Sequence, residues 1–458
     1  MNAHRKQLIA LAHPVYLSLL ASVASGIINT VWVSRLGGAA VAAVAVATNT
    51  ENVLLGVALV FASGTTVLVA HARGARDPAA VRAAVRGGWA LCALVTPLVA
   101  AGGFLLRGPL AALVLGGGDS TALHLATAYF AVSLPGMTVF FAQQLVDGIL
   151  KGAGDTRTPM RLALLANGLI LLCDPVLIHL YGVRGAAVST VLCRGVALAA
   201  GLRALRRNAL LRTAAAAPPA ASVPAALRRT LTTGLPMSAD FTVRQSGALV
   251  LVAIVARLGV TAVAAYAIAY KVMYLATMAF YAVRQAAAIH TAHTRGAGAD
   301  ARRDIGRQAV LVSGTLGLAA SALFAAGAPW IMAAFGAGPD VAHQGALFLR
   351  CIGPYLLLMA CFIALGGVFE GGGGGPALLR VTLLGTAVQL PLAYALGGLG
   401  LPGVCLALAL AMAVQCAAVA ALLGRTGRPA LSGRRVRGRR GPGGTGPARA
   451  AGARRGPG

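Results

Sequence analysis

SRLGGAAVAAVAVATN (Ser34–Asn49) and ARLGVTAVAAYAIAYK (Ala256–Lys271) lie 222 residues apart and are identical at nine of sixteen positions. The same offset pairs Pro14 with Pro236 and the basic segment HARGARD (His71–Asp77) with HTRGAGAD (His293–Asp300). A shared Ala/Val background inflates such a match, so the weight falls on the prolines, the Arg-Leu-Gly turns and their common offset. The chain is read as a duplication, and everything else about it is read against that repeat.

The repeat sits in a chain of 458 residues that is 58% hydrophobic and 11% charged, with a mean hydropathy of +0.79. A soluble chain of this size has too few polar residues at that composition to cover its surface, so the expected solvent is lipid. The hydrocarbon core, about 30 Å thick, needs roughly 20 residues of helix. Apolar runs near 14–34, 42–70, 85–105, 121–149, 161–180 and 185–203 meet that length, followed by 230–256, 262–292, 306–334, 342–368, 377–397 and 401–423. They lack the alternation of barrel strands. The expected fold is an all-α polytopic membrane protein, twelve transmembrane helices in two six-helix repeats. An even number of spans per repeat makes the halves parallel, around a central cleft.

The expected organisation is an N-terminal half (1–205), a linker (206–228), a C-terminal half (229–423) and a tail (424–458). The linker, RRNALLRTAAAAPPAASVP (Arg206–Pro224), reads as a cytoplasmic loop. The formal charge of +28 is unevenly placed: ten of the 39 basic residues follow Leu423, in a Gly/Pro/Arg-rich stretch expected to be disordered on an anionic membrane surface. No nucleic-acid partner is expected. With both termini cytoplasmic, inside segments carry 30 Lys and Arg, against Arg35, Arg107, Arg184 and Arg257 outside. That bias places the protein in the cell (inner) membrane with both ends inside. MNAHRKQ runs into the first apolar stretch without a cleavage signature and reads as a retained helix. The seven cysteines all lie in apolar runs, without metal-type spacing, and read as small buried hydrophobes. No metal site is expected.

Two six-helix halves, a proline opening the first and seventh runs, an Arg-Leu-Gly turn after each, and LKGAGDTRTPM (Leu150–Met160) after the fourth resemble the multidrug and toxic compound extrusion (MATE) family. The likeness covers the chain to about Leu423. It implies export of drugs or secondary metabolites, often cationic and amphipathic, in exchange for H⁺ or Na⁺ by alternating access. The fifth run, ANGLILLCDPVLI (Ala166–Ile178), resembles the family's Asn/Asp-Pro helix, which makes Asp174 the coupling carboxylate. Two positions depart from the family pattern: Asn29 stands where many members have Asp, and Arg244 where some carry Glu. The second loop copy is reduced to FEGGGGGPALL (Phe369–Leu379). Fewer acids favour H⁺ over Na⁺ as the coupling ion; no cofactor is implied.

An ionised side chain in hydrocarbon costs about 2.5 to 3.5 kcal/mol, so each intramembrane acid needs a reason. Asp174 precedes Pro175, whose missing N–H frees a carbonyl one turn earlier, and Asn167 is seven residues back on the same face. With Asn29 these form the expected ion-coupling set; the alternative is Asp174 paired with Arg194. Glu51 lies about twelve residues, or about 18 Å, into the second helix, and the repeat puts Lys271 at similar depth in the other half. Two readings are open, a Glu51–Lys271 bridge across the cleft in one state, or separate partners within each half. Asp240 and Arg244, at i and i+4, are placed to neutralise one another. Asp147 and Glu370 are assigned to loop ends. Tyr266, Tyr270 and Tyr274, with Gln143 and Gln144, are candidate substrate contacts, the tyrosines through cation–π faces or else as core.

Rival classes find little support. HExxH, GxSxG and Walker A patterns are missing, so neither a membrane enzyme nor ATP-driven transport is indicated. A lipid-linked oligosaccharide flippase of the same superfamily would share the topology, but the loop motif favours extrusion. The expected partners are a small-molecule substrate and the bilayer, with the chain a monomer.

Overall fold

A computed structural model describes residues 3–115, 120–218 and 221–426, so Asp119 and nearly all of the expected tail lie outside the described residues. Among these, every regular element is helical: α1 (Ala3–Ser34), α2 (Gly38–Gly74), α3 (Pro78–Leu105), α4 (Arg107–Leu115), α5 (Ser120–Gly152), α6 (Arg157–Arg207) and α7 (Ala209–Ala216). The second set is α8 (Val223–Ala256), α9 (Val260–Gly296), α10 (Arg302–Ala334), α11 (Pro339–Cys351), α12 (Gly353–Gly371), α13 (Gly375–Leu396) and α14 (Leu401–Thr426).

Eleven of these are long and apolar enough to cross a bilayer. α6, at 51 residues, is more than twice the needed length and carries a break at Gly182, φ 58° and ψ −137°. The chain turns back there, because a Cβ on Gly185 would strike the Leu177 carbonyl. Two of the expected spans are therefore the legs of one helical hairpin, which brings the candidate crossings among the described residues to twelve. The tenth expected run is itself broken, α11 passing into α12 at Ile352, where Pro354 removes a helical N–H donor.

The duplication reappears in the backbone. Gly37 (φ 102°, ψ 170°) precedes α2 and Gly259 (φ 104°, ψ 166°) precedes α9, and both helices run for 37 residues. At their far ends the helices touch reciprocally, since a Cβ on Gly74 would meet the His293 carbonyl and one on Gly296 the His71 carbonyl. Those glycines let two basic loops approach backbone to backbone on the repeat axis. LKGAGDTRTPM owes its composition to a similar demand: Gly154 (φ 85°) ends α5, and Asp155 accepts from the Thr158 amide (2.9 Å) and hydroxyl (2.6 Å) to start α6.

The linker is not a plain loop. α7 forms within it, capped by Asn208, whose Oδ1 accepts from Leu211 N–H in the first turn (3.4 Å), while Arg82 donates to the Ala217 carbonyl. The alanine run favours helix and Pro218 stops it.

Burial shows how the halves meet. Toward the end distal to the basic loops, Val33, Ala40, Phe130 and Ala187 build one core within the N-terminal half, and Val255, Tyr266, Phe348 and Val404 another within the C-terminal half. At the basic end a single core joins them, Leu8, Leu11 and Val15 of α1 packing with Val283, Ala286 and Ile289 of α9. Close approaches between halves run from Gly56 against Thr242 down to Gly64 against Thr230 and Gly234 against Val60. His4 Nδ1 lies 2.9 Å from His290 Nε2, and Lys151 Nζ donates to Gln285 Oε1 at 3.2 Å. The halves are thus zipped at the basic end.

Candidate functional site

In the N-terminal half, Asn29 near the end of α1 donates from Nδ2 to Asp174 Oδ2 at 2.7 Å. Asp174 is fully buried. Ser189, brought back beside it by the Gly182 turn, presents its buried hydroxyl to the carboxylate. Tyr129 of α5, buried as well, stands within electrostatic reach of both Asp174 and Glu51. A buried carboxylate without a counter-charge is costly in its ionised form, so this arrangement favours a proton or small cation on Asp174.

Asn167 does not join the cluster. Two helical turns separate it from Asp174 by about 10 Å along the axis, and its amide reaches Ser22 Oγ at 3.4 Å on an exposed face. Arg194 does not pair with Asp174; its guanidinium lies 4.8 Å from the Phe140 ring centroid and shares a small cavity with Glu51, Tyr129 and Ser133. Glu51 thus faces its own half, as the second reading had it, and forms no bridge to the exposed Lys271 in this conformation. The face of α2 that carries Glu51 packs on α5, and α6 closes the other side of the small cavity.

In the C-terminal half, Asp240 and Arg244 pair at 2.7 Å as their spacing implies. The pair belongs to a larger network. Arg284 Nη2 donates to Asp240 Oδ2 at 2.7 Å and to Glu370 Oε1 at 2.6 Å, Nε donates to Glu370 Oε2 at 3.2 Å, and Thr382 Oγ1 donates to Asp240 Oδ1 at 2.6 Å. Glu370 therefore serves this buried network rather than a loop. Gly366 and Gly367 of α12 make room, since a Cβ on the first would sit 3.4 Å from the Arg284 guanidinium and one on the second would strike the Arg284 carbonyl. Asp147 is likewise no loop residue: its Oδ1 is buried without a partner, one turn before Lys151. Arg284, Ser189, Tyr129 and Thr382 were not anticipated. For Arg284 a signal existed, because α9 contains no acid and an intramembrane arginine must find one on another helix.

Tyr266, Tyr270 and Tyr274 line an open cleft whose empty space, its mouth included, is about 1060 Å³, walled by α8, α9, α11, α12, α13 and α14. Tyr266 stacks on Tyr270 (5.9 Å between centroids) and meets Phe348 edge-on (5.5 Å), so it is both core and wall. Tyr270 and Tyr274 are 37% and 44% exposed. Gln143 and Gln144 sit half-buried on α5 in the other half, away from this cavity.

Two parallel six-helix halves, each with a buried acidic centre and joined at one end only, define a polytopic two-repeat protein of secondary-transporter architecture. The MatE family model matches residues 14–176 and again 236–395, the two matches starting 222 residues apart as the sequence repeat does. The chain belongs to this family, the multidrug and toxic compound extrusion transporters. It is 28% identical over 203 residues to the probable multidrug resistance protein YpnP of Bacillus subtilis, covering 43% of this chain and 44% of that protein. The chain thus spans under half the length of that curated relative. Its fold matches the crystal structure of MATE in complex with MaL6 (TM-score 0.84, 22% identity, 93% of this chain and 97% of that one). The outward-facing conformation of a multidrug resistance MATE transporter of the MOP superfamily matches equally (TM-score 0.84, 23% identity, 93% and 96%).

Proposed function

We propose that this protein is a secondary active exporter of amphipathic small molecules, working as an antiporter by alternating access. The observation that carries the coupling site is the buried Asp174 carboxylate, held by Asn29, facing Ser189 and paired with no Lys or Arg among the described residues. A single carboxylate flanked by an amide and a hydroxyl suits one proton better than a sodium ion that asks for several charged oxygens, so H⁺ is the proposed counter-ion. The basic-loop end is placed in the cytoplasm by the positive-inside bias, which puts both termini inside and makes the described state outward-facing. Residues 1–205 and 229–423 rock as two bodies about the closed end, and the chain acts as a monomer. Transport, not catalysis, is the activity.

The test is efflux from proteoliposomes, using a fluorescent amphiphile of either charge, rhodamine 123 or fluorescein, under an imposed pH or Na⁺ gradient. Wild type should respond to the pH gradient, and Asp174→Asn should lose the response by about tenfold or more, since an amide cannot carry the proton. Wild-type efflux indifferent to both gradients would overturn antiport and favour the flippase reading.

A further inference from the structure

The charge on the walls of the C-terminal cavity points to a substrate class. Arg244 is the one charged side chain among its described lining residues, and no Asp or Glu lines it. The buried quartet of Asp240, Glu370, Arg244 and Arg284 is neutral in sum but polarised in space. Asp240 is 1% exposed, whereas Arg244 is 20% exposed at the cavity wall, with a buried Nε that has no hydrogen-bond partner. Glu370 is paired with Arg284, and neither of the two lines the cavity. A ligand in the cavity therefore meets the guanidinium first and the carboxylates only at a distance. Other polar wall groups, Gln389 and the tyrosine hydroxyls, can donate hydrogen bonds. The aromatic faces attract cations through their quadrupole, but a charge acts more strongly and over longer range than a quadrupole.

We infer that this cavity takes amphipathic aromatic molecules bearing an anionic group, the anion on Arg244 and the flat body against Tyr266, Tyr270 and Phe348, rather than the cationic class that the family resemblance implied. The inference rests on the exporter reading and sharpens its substrate.

Fluorescein and rhodamine 123 share a xanthene body and differ in charge, so their equilibrium binding isolates the effect. Binding to the full chain in phosphatidylcholine nanodiscs, followed by fluorescence anisotropy, should show fluorescein favoured over rhodamine 123 by about tenfold or more, the scale of a charge-assisted hydrogen bond. Arg244→Gln should erase that preference, while Asp240 keeps Arg284 and Thr382 as partners. Gln389→Glu, which adds an acid to the wall without touching the quartet, should reverse it and decides the matter if the arginine variant does not fold. Rhodamine 123 bound as tightly as fluorescein, fluorescein binding unchanged in both variants, or no saturable fluorescein binding would overturn the inference. No gradient is present in this measurement, so its failure is separate from failure of antiport, which the Asp174→Asn efflux assay reads.

Discussion

Arg284 shows how one residue can govern a whole half. Its guanidinium bridges acids from α8 and α12, at 2.7 Å and 2.6 Å, where its side chain is 6% exposed. Removing one member of a buried ion network leaves the others charged and unpaired, which costs about 3 to 5 kcal/mol. Arg284→Met should lower stability by that order, read as thermal unfolding in detergent. Glu370→Gln added to it should restore part of the loss, because the stranded charge is then gone. Equal unfolding temperatures for wild type and Arg284→Met would show the network to be dispensable. Asp174 poses the opposite case. Held by neutral groups alone, with no cation to pair it, it is a poor stabiliser and a good binding group, which is why its substitution is expected to alter coupling more than folding.

At the scale of the element, the α6 hairpin decides whether a site exists. Asp174 is on one leg and Ser189 on the other, and they meet only because Gly182 takes φ 58° and ψ −137°. That conformation is the mirror image of extended backbone, open to glycine and strained for other residues by about 1 to 3 kcal/mol. Nothing lies within 4 Å of a Cβ built there, so Gly182→Ala tests the backbone alone. It should destabilise the protein by that range and reduce gradient-driven efflux through misplacement of Ser189. Full stability and full efflux in this variant would show that the turn does not set the site. The tight fit of Gly74 and Gly296 has a different cause, the approach of two backbones rather than a special dihedral angle.

Across the whole molecule, the halves share a core at the basic end and keep separate cores at the other. Alternating access then requires the shared core to part. His4 and His290, whose ring nitrogens are 2.9 Å apart, are on opposite halves of that seam. A His4→Cys, His290→Cys double variant, compared with each single variant against the seven native free cysteines, should cross-link on oxidation and stop efflux. Reduction should restore it. Undiminished efflux from the fully cross-linked protein would mean that the seam need not open.

The lipid solvent, the duplication and its 222-residue offset, the twelve crossings and the positions of Asp174, Asn29, Asp240 and Arg244 were determined by the sequence itself. Composition sets the solvent, helical length sets the spans, and i, i+4 spacing sets a pair on one helix. Partners on different helices could not be read that way, because helix rotation and the turning back of α6 are settled by packing. Only the tertiary structure decided that Glu51 faces Arg194 rather than Lys271, that Asn167 falls outside the acidic site, and that Glu370 reaches Arg284 through a slot of glycines. Each of these depends on which side of one helix meets which side of another, a relation that a single strand of sequence does not contain.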